Sequence, residues 1–365
     1  AGCVLANRLS TIGTVLLLEA GGPAGSLEVR VPAAFSKLYK TEVDWDFESG
    51  PEPGVDGRRL YVPRGRMIGG SSSMNAMIYM RGRPSDYQIW EESGADGWGW
   101  TEVEPAFLSV EDNARGPGPH HAVGGELRVE DLRDPSDFSR RFVESAIAAG
   151  IPANHDFNGE TQEGAGLFQV TQRGGRRWSA ADAFLRPARH RPTLSVVTGA
   201  LVDRIIVEGQ RAGGVRYVVD GEMRIAQADA EIVLAAGSIG SPAILQRSGI
   251  GDPAHLAGAG VTPIADLPQV GENLQDHPVV MVIYASKRRG TLEDAETIPN
   301  LLRYLATRRG PLSSNVAEAG AFVRTSASGP EPDIQFHFGP TYFADHGLTP
   351  FDGNALTTGP LLLNP

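Results

Sequence analysis

The chain of 365 residues is 41% hydrophobic and 21% charged, which is enough for two lobes that each bury a core. Its formal net charge of −11 argues against a general binder of nucleic-acid phosphates, and its single cysteine, Cys3, excludes an internal disulfide or a multi-cysteine metal site. The longest apolar run, residues 278–285, is too short to span a bilayer. We expect a cytoplasmic location; because the chain does not begin with Met, a lost leader or a membrane-associated form stays open.

Hydrophobic periodicity predicts the elements in the first half of the chain. Residues 1–9 predict a helix, and Val15–Leu18 predicts a buried strand that ends at Glu19. A Gly- and Pro-rich, loop-like region extends to about Gly70, and a helix is predicted within residues 136–149. The apolar face of that helix comprises Phe138, Phe142, Val143 and Ile147.

The second half predicts further strands and helices, several of the strands in hairpins. The predicted strands are 194–197, 200–207, 214–219, 232–235 and 333–338, and the predicted helices are 242–247 and Ile298–Thr307. Strands alternate with helices at both ends of the chain, and hairpins lie between them. This order indicates an α/β cofactor domain with an inserted second lobe.

Three segments carry the pattern of a cofactor site, and the first is N-terminal. Gly2 opens the apolar helix, and Glu19 ends the strand that follows. In a dinucleotide-binding βαβ unit, a G-x-G-x-x-G turn places pyrophosphate at a helix N-terminus, and an acidic residue about 20 positions on binds the ribose. Gly2 could be only the last of those glycines, and a chance arrangement explains this segment about equally well.

The second segment, residues 65–79, has the sequence GRMIGGSSSMNAMIY. Adjacent glycines allow the backbone to approach a planar or anionic ligand, and the serines after them can cap a helix whose N–H groups face a phosphate. A tight turn before a serine-capped helix would explain the glycines and serines alone. It does not explain why Arg66, Asn75 and Tyr79 accompany them.

The third segment, residues 237–251, has the sequence GSIGSPAILQRSGIG and follows a β-branched strand. A strand, a glycine turn and a helix with Pro near its first turn suit a close ligand approach, although an ordinary strand–turn–helix has the same pattern. Residues 270–278 follow with the sequence VGENLQDHP.

The second and third segments resemble the two signatures of the glucose–methanol–choline (GMC) oxidoreductase family, in the correct order. Residues 1–9, 271–277 and 315–322 are also similar to that family, with a likeness to its bacterial choline and alcohol dehydrogenase branch. The resemblance implies a mixed α/β (α+β) fold, in which a Rossmann-like FAD-binding domain carries a substrate domain built on an antiparallel sheet. It assigns residues 1–130 and 190–277 to the FAD-binding domain and residues 131–189 and 278–365 to the substrate-binding domain.

The resemblance also assigns cofactor contacts position by position. Gly2 would be the last fingerprint glycine and Glu19 the ligand of the adenosine ribose. The second segment would line the pyrophosphate and isoalloxazine, and the rest of the set would contact the adenine and the flavin. The predicted FAD contacts are Gly2, Glu19, Ala20, Gly21, Arg66, Met67, Gly69, Gly70, Ser71, Asn75, Ala76, Met77, Ile78, Ala200, Val202, Ala236 and Gly237. A structural role near the cofactor is predicted for Asn273, Asp276 and His277.

The chain departs from the family pattern at both ends. The family's active-site His, and its His or Asn partner, lie in a C-terminal stretch that this sequence lacks, and the first strand and first two fingerprint glycines are also absent. We therefore expect no catalytic residue in this chain and no turnover from the chain as it stands. Some family members attach FAD through a histidine directly before the motif's Asn; because Met74 stands there, we expect non-covalent FAD.

For the intact enzyme, the resemblance implies oxidation of an alcohol CH–OH group, with a histidine taking the hydroxyl proton and hydride passing to the flavin. Choline-like or aliphatic primary alcohols are expected ahead of sugars, and a quinone, a carrier or oxygen would reoxidise the flavin. The oligomeric state stays open. So do three alternatives: a family lyase that keeps FAD structurally, a non-catalytic flavin-binding remnant, and a nicotinamide dehydrogenase, in which the second and third segments would have no role.

Other candidate sites receive structural interpretations. His120 and His121 follow a Gly- and Pro-rich loop, and adjacent loop residues rarely share one metal ion. The sequence contains no G-x-S-x-G elbow and no phosphate-binding G-x-x-x-x-G-K-[ST] loop. The expected roles are a structural histidine at His277, a sheet-surface histidine at His337, a solvated or salt-bridged carboxylate at Glu318, and a solvated loop at residues 173–177.

Overall fold

A computed structural model describes residues 1–325 and 329–364. Residues 326–328 and Pro365, which the predicted substrate-binding domain includes, lie outside the described residues. The α-helices are α1 (Gly2–Leu9), α2 (Leu27–Arg30), α3 (Pro84–Glu92), α4 (Trp100–Val110), α5 (Asp137–Ala148), α6 (Arg186–Ala188), α7 (Gly237–Arg247), α8 (Pro253–Gly258) and α9 (Ile298–Thr307). The strands are β1 (Val15–Leu18), β2 (Phe47–Glu48), β3 (Tyr61–Val62), β4 (Glu111–Asn113), β5 (Leu127–Asp131), β6 (Gly164–Leu167), β7 (Gln169–Val170), β8 (Leu194–Val197), β9 (Leu201–Glu208), β10 (Arg211–Val219), β11 (Glu222–Gln227), β12 (Ile250–Gly251), β13 (Ala265–Asp266), β14 (Val282–Ser286), β15 (Ala319–Val323), β16 (Ile334–Gly339) and β17 (Asn354–Leu362).

The chain divides into two compact units. Unit 1 comprises Ala1–Ala24, Glu42–Ser71 and Ala180–Asp276, and unit 2 comprises Gly25–Thr41, Ser72–Ser179 and the residues from His277 onwards. The predicted domain boundary after residue 277 falls beside the change of unit, whereas residues 72–130 pack in unit 2 although they were predicted to be part of the FAD-binding domain. Because compactness does not identify what a domain binds, the assignment of binding domains stays a prediction. Within the described chain, no helix has the length and apolar character needed to cross a membrane.

Unit 1 begins with the predicted helix and strand, which the structure confirms as α1 and β1, but the strand is not buried as predicted: Leu16 is 42% exposed. Helix α1 buries Cys3, Ala6 and Asn7, and the Asn7 amide donates a 2.7 Å hydrogen bond to the carbonyl of Phe184. Strand β1 pairs in parallel with β8.

The three strands β9, β10 and β11 form an antiparallel sheet in the order β11-β10-β9, so the hairpins predicted around residues 200–219 are confirmed. The strand predicted at residues 232–235 is wrong, because this segment has no ladder partner among the described residues. Helix α7 begins at Gly237, earlier than predicted. Pro242 therefore lies inside the helix and not in its first turn, and its missing N–H removes one intrahelical bond.

Unit 2 is built on a five-stranded antiparallel sheet in the order β14-β17-β16-β15-β6. Helix α5 packs on this sheet, and the ring of Phe142 stacks on that of Phe338 with centroids 4.6 Å apart. The helix is as predicted, but Ile147 is 42% exposed and the buried positions are Ser139 and Ala146. The face of α5 that packs on the sheet therefore does not include Ile147, in contrast to the prediction. The mixed fold with an antiparallel sheet confirms the predicted fold class.

Candidate functional site

Glu19 lies in the turn that leaves strand β1. Its Oε1 accepts a 2.8 Å hydrogen bond from the backbone N–H of Gly21, and its carbonyl accepts one of 2.9 Å from the N–H of Ala200. Burial raises the pKa of Glu19 above its ordinary value, while the Gly21 hydrogen bond and the charge of Arg66 oppose that rise. A half-buried carboxylate at the carboxyl end of a parallel strand can accept hydrogen bonds from ribose hydroxyls.

Gly21 brings this turn into contact with Arg66. A Cβ added at Gly21 would lie 1.8 Å from the carbonyl oxygen of Arg66, so the position accepts only glycine. The N–H of Arg66 donates to Val43 at 2.7 Å, and its guanidinium carbon lies 5.0 Å from the ring centroid of Trp45. Its Nε is buried and has no hydrogen-bond partner among the described residues. Unit 1 thus brings a carboxylate, a tight turn and a cation together.

The glycine-rich segment forms a closed turn. Gly69 and Gly70 have φ values of +90° and +55°, a conformation that residues with side chains rarely adopt. Ser71 accepts a 3.1 Å hydrogen bond at Oγ from the N–H of Gly65. The serines, which were expected to be able to cap a helix, lie within a 3-10 helix at residues Gly70–Ser73. The left-handed glycines and the bond from Gly65 to Ser71 close the chain before an α-helix can form.

Two further residues of the predicted set are buried in unit 1. Ala200, which is 1% exposed, is the backbone partner of Glu19, and Met67 has no exposed surface. Val202 lies on β9, where its carbonyl accepts a 3.2 Å hydrogen bond from Arg247. The structure therefore places Ala200 directly beside the Glu19 turn.

Three residues of the set lie at helix N-termini. Gly2 begins α1, where an added Cβ would meet its neighbours at ordinary contact distances of 3.5 Å and more, so packing alone does not require glycine there. The next residue, Cys3, is hydrogen-bonded to the backbone of Gly69, which brings the start of α1 to the glycine-rich turn. Ala236 caps α7, and Gly237 begins it with a φ of +83°.

The remaining predicted residues, 75–78, form a strained turn in unit 2. Met77 has a φ of +58°, which is uncommon for a residue with a side chain. Its N–H donates to Asn75 Oδ1 at 3.1 Å, and its carbonyl accepts from the N–H of Thr171 at 2.8 Å. The amide of Asn315 donates to the carbonyl of Ala76 at 3.0 Å. Such a conformation persists where its surroundings over-determine it, as these three bonds do.

Glu318 is buried, so the prediction of a solvated or salt-bridged carboxylate is wrong. It is 1% exposed, and its Oε2 accepts hydrogen bonds from the N–H of Ser136 at 2.7 Å and the hydroxyl of Ser139 at 2.6 Å. Burial raises the pKa of Glu318, and hydrogen bonds from Ser139 and Ser314 oppose the rise. Neutral donors at the N-terminus of α5 therefore hold this carboxylate.

His337 packs into unit 2 and does not lie on the sheet surface as predicted. Its ring centroid is 5.7 Å from that of Phe168, and its Nδ1 is enclosed without a hydrogen-bond partner among the described residues. Burial, followed by the charge of His277, lowers the pKa of His337 to about 4. The neutral imidazole is therefore the dominant form at neutral pH. His277, expected to be a structural histidine, has an exposed side chain.

The two adjacent histidines point to different partners. His120 lies 3.2 Å from Glu104, whereas His121 lies 3.0 Å from Glu111 and 2.7 Å from Asp156. Hydrogen bonds to Asp156 and then to Glu111 raise the pKa of His121 to about 9. Among the described residues, no group of His, Cys, Asp or Glu has the arrangement of a metal site.

The arginine-rich loop at residues 173–177 is only partly solvated, in contrast to the prediction. Arg173 is exposed and lies 4.8 Å from the ring centroid of Trp178, but Arg177 is 3% exposed. The spacing of arginines in the sequence does not distinguish these two environments, because burial here depends on segments far away in the chain.

Sequence reasoning missed Trp45, which stacks under Arg66. Trp45 and Arg66 meet because residues 43–48 pair with residues 61–66, with Trp45 donating to the carbonyl of Arg64 at 2.9 Å. The available signal was the aromatic alternation of Trp45 and Phe47, which is typical of a short strand. That region was predicted to be loop-like.

Comparison with known proteins identifies the family. The family model of the GMC oxidoreductases matches residues 14–279. The chain is 41% identical to the alcohol dehydrogenase [acceptor] of Pseudomonas putida over 95% of this chain and 65% of that protein. It is 39% identical to the mitochondrial choline dehydrogenase of Mus musculus over 96% of this chain and 61% of that one. The chain thus spans less than two thirds of the length of these two curated relatives.

Solved structures agree with this likeness. The crystal structure of pyridoxine 4-oxidase from Mesorbium loti has a TM-score of 0.88 and 33% identity, and the match covers this whole chain and 69% of that one. Formate oxidase of Aspergillus oryzae, at 23% identity and a TM-score of 0.89, shares the fold. The family model covers most of the chain, and the structural match extends over all of it. The chain therefore belongs to the GMC oxidoreductase family.

Proposed function

We propose that this chain is part of an FAD-dependent oxidoreductase that oxidises the CH–OH group of a small alcohol. The observation that carries the proposal is the Glu19 turn, in which a half-buried carboxylate follows a parallel strand and Gly21 packs on the backbone of Arg66. Membership of the GMC family and the likeness to alcohol and choline dehydrogenases support the reaction class. Choline-like and aliphatic primary alcohols are the proposed substrates.

The residues of unit 1 fit an adenine dinucleotide. Glu19 supplies a ribose acceptor, the left-handed Gly69 and Gly70 permit close backbone approach to pyrophosphate, and Arg66 carries a positive charge with a buried, unfilled Nε. The ring of Trp45 lies against the face of the guanidinium, so the Nε–H, which points along the plane of the group, is left to donate to an oxygen of the ligand. A site with one carboxylate for the ribose and one cation for the phosphates suits FAD.

Two features of the chain have a role in the proposed reaction, and both concern the binding of FAD. When bound, FAD would supply the acceptor for a hydride from the alcohol carbon. Glu19 would orient the ribose, and the turn at residues 75–78 would hold the ring system. Glu318, which is buried just before β15, and His337, which is partly buried on β16 with an enclosed Nδ1, are not assigned as the base. The electron acceptor of the reduced enzyme is a quinone, a carrier or oxygen.

The reaction is tested with the full-length gene product and a panel of alcohols under anaerobic conditions. Primary alcohols such as choline and hexanol should bleach the flavin absorbance, and dye reduction should follow the same order of substrates. A lyase that keeps FAD structurally would leave the flavin oxidised in the presence of its substrate. A much higher specificity constant for an aldose than for any simple alcohol would contradict the proposed substrate class.

FAD binding should depend on Glu19. Replacing Glu19 with alanine removes a carboxylate acceptor and is expected to weaken FAD binding by roughly 1–3 kcal/mol, the scale of a charge-assisted hydrogen bond. The dissociation constant is measured by titrating the apoprotein with FAD, and the released cofactor is identified by chromatography. Glu48→Ala is the matched control, because Glu48 is an exposed carboxylate of the same unit, 3.8 Å from Arg59. Equal weakening by both substitutions, or release of FMN or NAD, would contradict the assignment.

The flavin should be held without a covalent bond. Met74, which precedes Asn75, is 2% exposed, and its thioether cannot form the link that a histidine forms at this place in some family members. After precipitation with acid, the yellow chromophore should stay in the supernatant. Colour that sediments with the protein would refute non-covalent binding.

A further inference from the structure

Arg177 connects three segments of unit 2 that are distant in sequence. Its Nε donates to the carbonyl of Val29 at 2.9 Å, and its Nη1 donates to the carbonyl of Ser72 at 3.2 Å and to Asn75 Oδ1 at 2.9 Å. Its backbone N–H also donates to the carbonyl of Arg30 at 3.3 Å. A planar guanidinium presents several donors in a fixed geometry, so one side chain can fix these acceptors relative to one another.

The contact with Asn75 controls the strained turn. The same Oδ1 that accepts from Arg177 also accepts from the N–H of Met77, whose φ is +58°. Carbonyl groups of this turn are held by Thr171 and Asn315, but those bonds leave the rotation of the Asn75 side chain undetermined. Arg177 is the second donor to this Oδ1 and restrains that rotation from outside the turn, which holds the Oδ1 in place to accept from Met77 and so stabilises its left-handed backbone.

Asn75 and Arg177 differ in their exposure to solvent, and therefore in whether a ligand can contact them. Asn75 is exposed, whereas Arg177 is 3% exposed and is enclosed by the chain segments that it connects. A ligand beside residues 75–78 can therefore touch Asn75 and its neighbours but is screened from the guanidinium. Arg177 can therefore affect the binding of such a ligand only through the conformation of the turn.

We propose that Arg177 is a positioning residue for the flavin, which orders the turn at residues 75–78 through Asn75 before the cofactor binds. This inference rests on the proposed function, because it takes the ligand of the turn to be FAD. Preorganisation lowers the ordering entropy that binding must otherwise supply, so loss of Arg177 should weaken FAD binding more than it weakens the fold.

The test uses the full-length protein with the substitutions Arg177→Met, Arg177→Lys and Asn75→Leu, and the double variant of Arg177→Met with Asn75→Leu. Arg173→Met is the matched control, because Arg173 is an exposed arginine of the same loop. The measurements are the FAD dissociation constant, the visible circular dichroism of the bound flavin and the melting midpoint of the apoprotein. The dichroism reports the environment of the flavin ring, which a residue with a purely structural role would leave unchanged.

We expect Arg177→Met and Asn75→Leu each to raise the FAD dissociation constant about 10- to 100-fold and to alter the flavin dichroism. The double variant should be little worse than either single variant, because both remove the same contact. Arg177→Lys should fall between Arg177→Met and the wild type, since an ammonium group cannot reproduce the fork. Arg173→Met should match the wild type. If Arg177→Met does not fold, the FAD dissociation constants and flavin dichroism of Arg177→Lys and Asn75→Leu are compared with those of the wild type instead.

Additive effects of the two substitutions would overturn the inference, and so would unchanged FAD affinity and dichroism in a variant whose apoprotein melts earlier. A wild-type protein that does not bind FAD would overturn the proposed function and this inference together. A wild-type protein that binds FAD without oxidising any alcohol would overturn the proposed reaction alone, and the predicted pattern of dissociation constants would still support the role of Arg177.

Discussion

Substitution of Gly21 by alanine should lower the melting midpoint of the protein by roughly 6–12 °C or prevent unit 1 from folding, the result expected for a loss of about 3 kcal/mol or more. An added Cβ would lie 1.8 Å from the carbonyl oxygen and 2.2 Å from the carbonyl carbon of Arg66, whereas real Cβ atoms keep at least 3.0 Å. Both atoms are backbone, so no side-chain rotation relieves the clash. The turn must move away from Arg66, and the bond from Gly21 to Glu19 moves with it.

Gly22→Ala is the control for this substitution. No atom lies within 4 Å of a Cβ built at Gly22, and its φ is outside the positive range, so alanine is compatible with both the space and the backbone. Its melting midpoint should stay within about 1–2 °C of the wild type, as for most surface substitutions. Melting curves of the two variants decide the matter: equal midpoints for Gly21→Ala and Gly22→Ala would show that the contact with Arg66 is not tight.

The elements that sequence reasoning predicted well are those with a local signal. Helices α1, α5 and α9 carry apolar residues at helical spacing, and strands β1 and β8 are short apolar runs bounded by polar residues. Residues 232–235 carry the same local signal as β8 but have no ladder partner among the described residues, so the strand was overpredicted. Strand formation depends on a second segment, and the composition of the first does not reveal it.

The same distinction between local and long-range signals applies to the residues of the candidate site. The tight turns of the glycine-rich and Glu19 segments were predictable because their spacing is fixed by local backbone geometry, whereas the FAD contacts assigned to them stay a prediction. Glu318 and Arg177 were misjudged, since each is buried by segments more than a hundred positions away. Trp45 was missed for a related reason, because its contact with Arg66 requires pairing across an intervening loop. A charged side chain gives no local indication that its partners lie elsewhere in the chain.

Replacing Glu111 with glutamine should destabilise unit 2 by about 3–5 kcal/mol, the usual effect of removing one partner from a buried ion pair. Glu111 has no exposed side-chain surface, and its Oε1 lies 3.0 Å from both Arg81 Nη2 and His121 Nδ1. Its Oε2 accepts a 2.8 Å hydrogen bond from the N–H of Ala122. Glutamine has the same shape but no charge, and one of its two terminal atoms is a donor that would face a donor. Arg81, 1% exposed, would keep its charge without this counter-ion.

The same cluster should make stability depend on pH through His121. Burial alone would raise the pKa of Glu111, but the hydrogen bonds from His121, Ala122 and Asn113 together with the charge of Arg81 hold it below its ordinary value. The carboxylate thus stays ionised throughout the neutral and alkaline range. The imidazolium of His121, paired with Asp156 and Glu111, is the group that changes charge there.

His121 has a pKa of about 9 in the folded protein, against 6.5 for an ordinary histidine, so its contribution to stability is complete below pH 6.5 and is lost as the pH rises through about 9. The difference between the two pKa values corresponds to roughly 3 kcal/mol of folding stability. The physical cause is that a neutral ring keeps one N–H and must give up its hydrogen bond to either Asp156 or Glu111. Melting midpoints of the wild type should therefore fall between pH 6.5 and 9.5, and His121→Gln should flatten that fall. His120→Gln is the neighbouring control, since the His120 side chain is 37% exposed and should leave the profile unchanged. A wild-type profile that matches that of His121→Gln would show that His121 is not a charged member of the cluster.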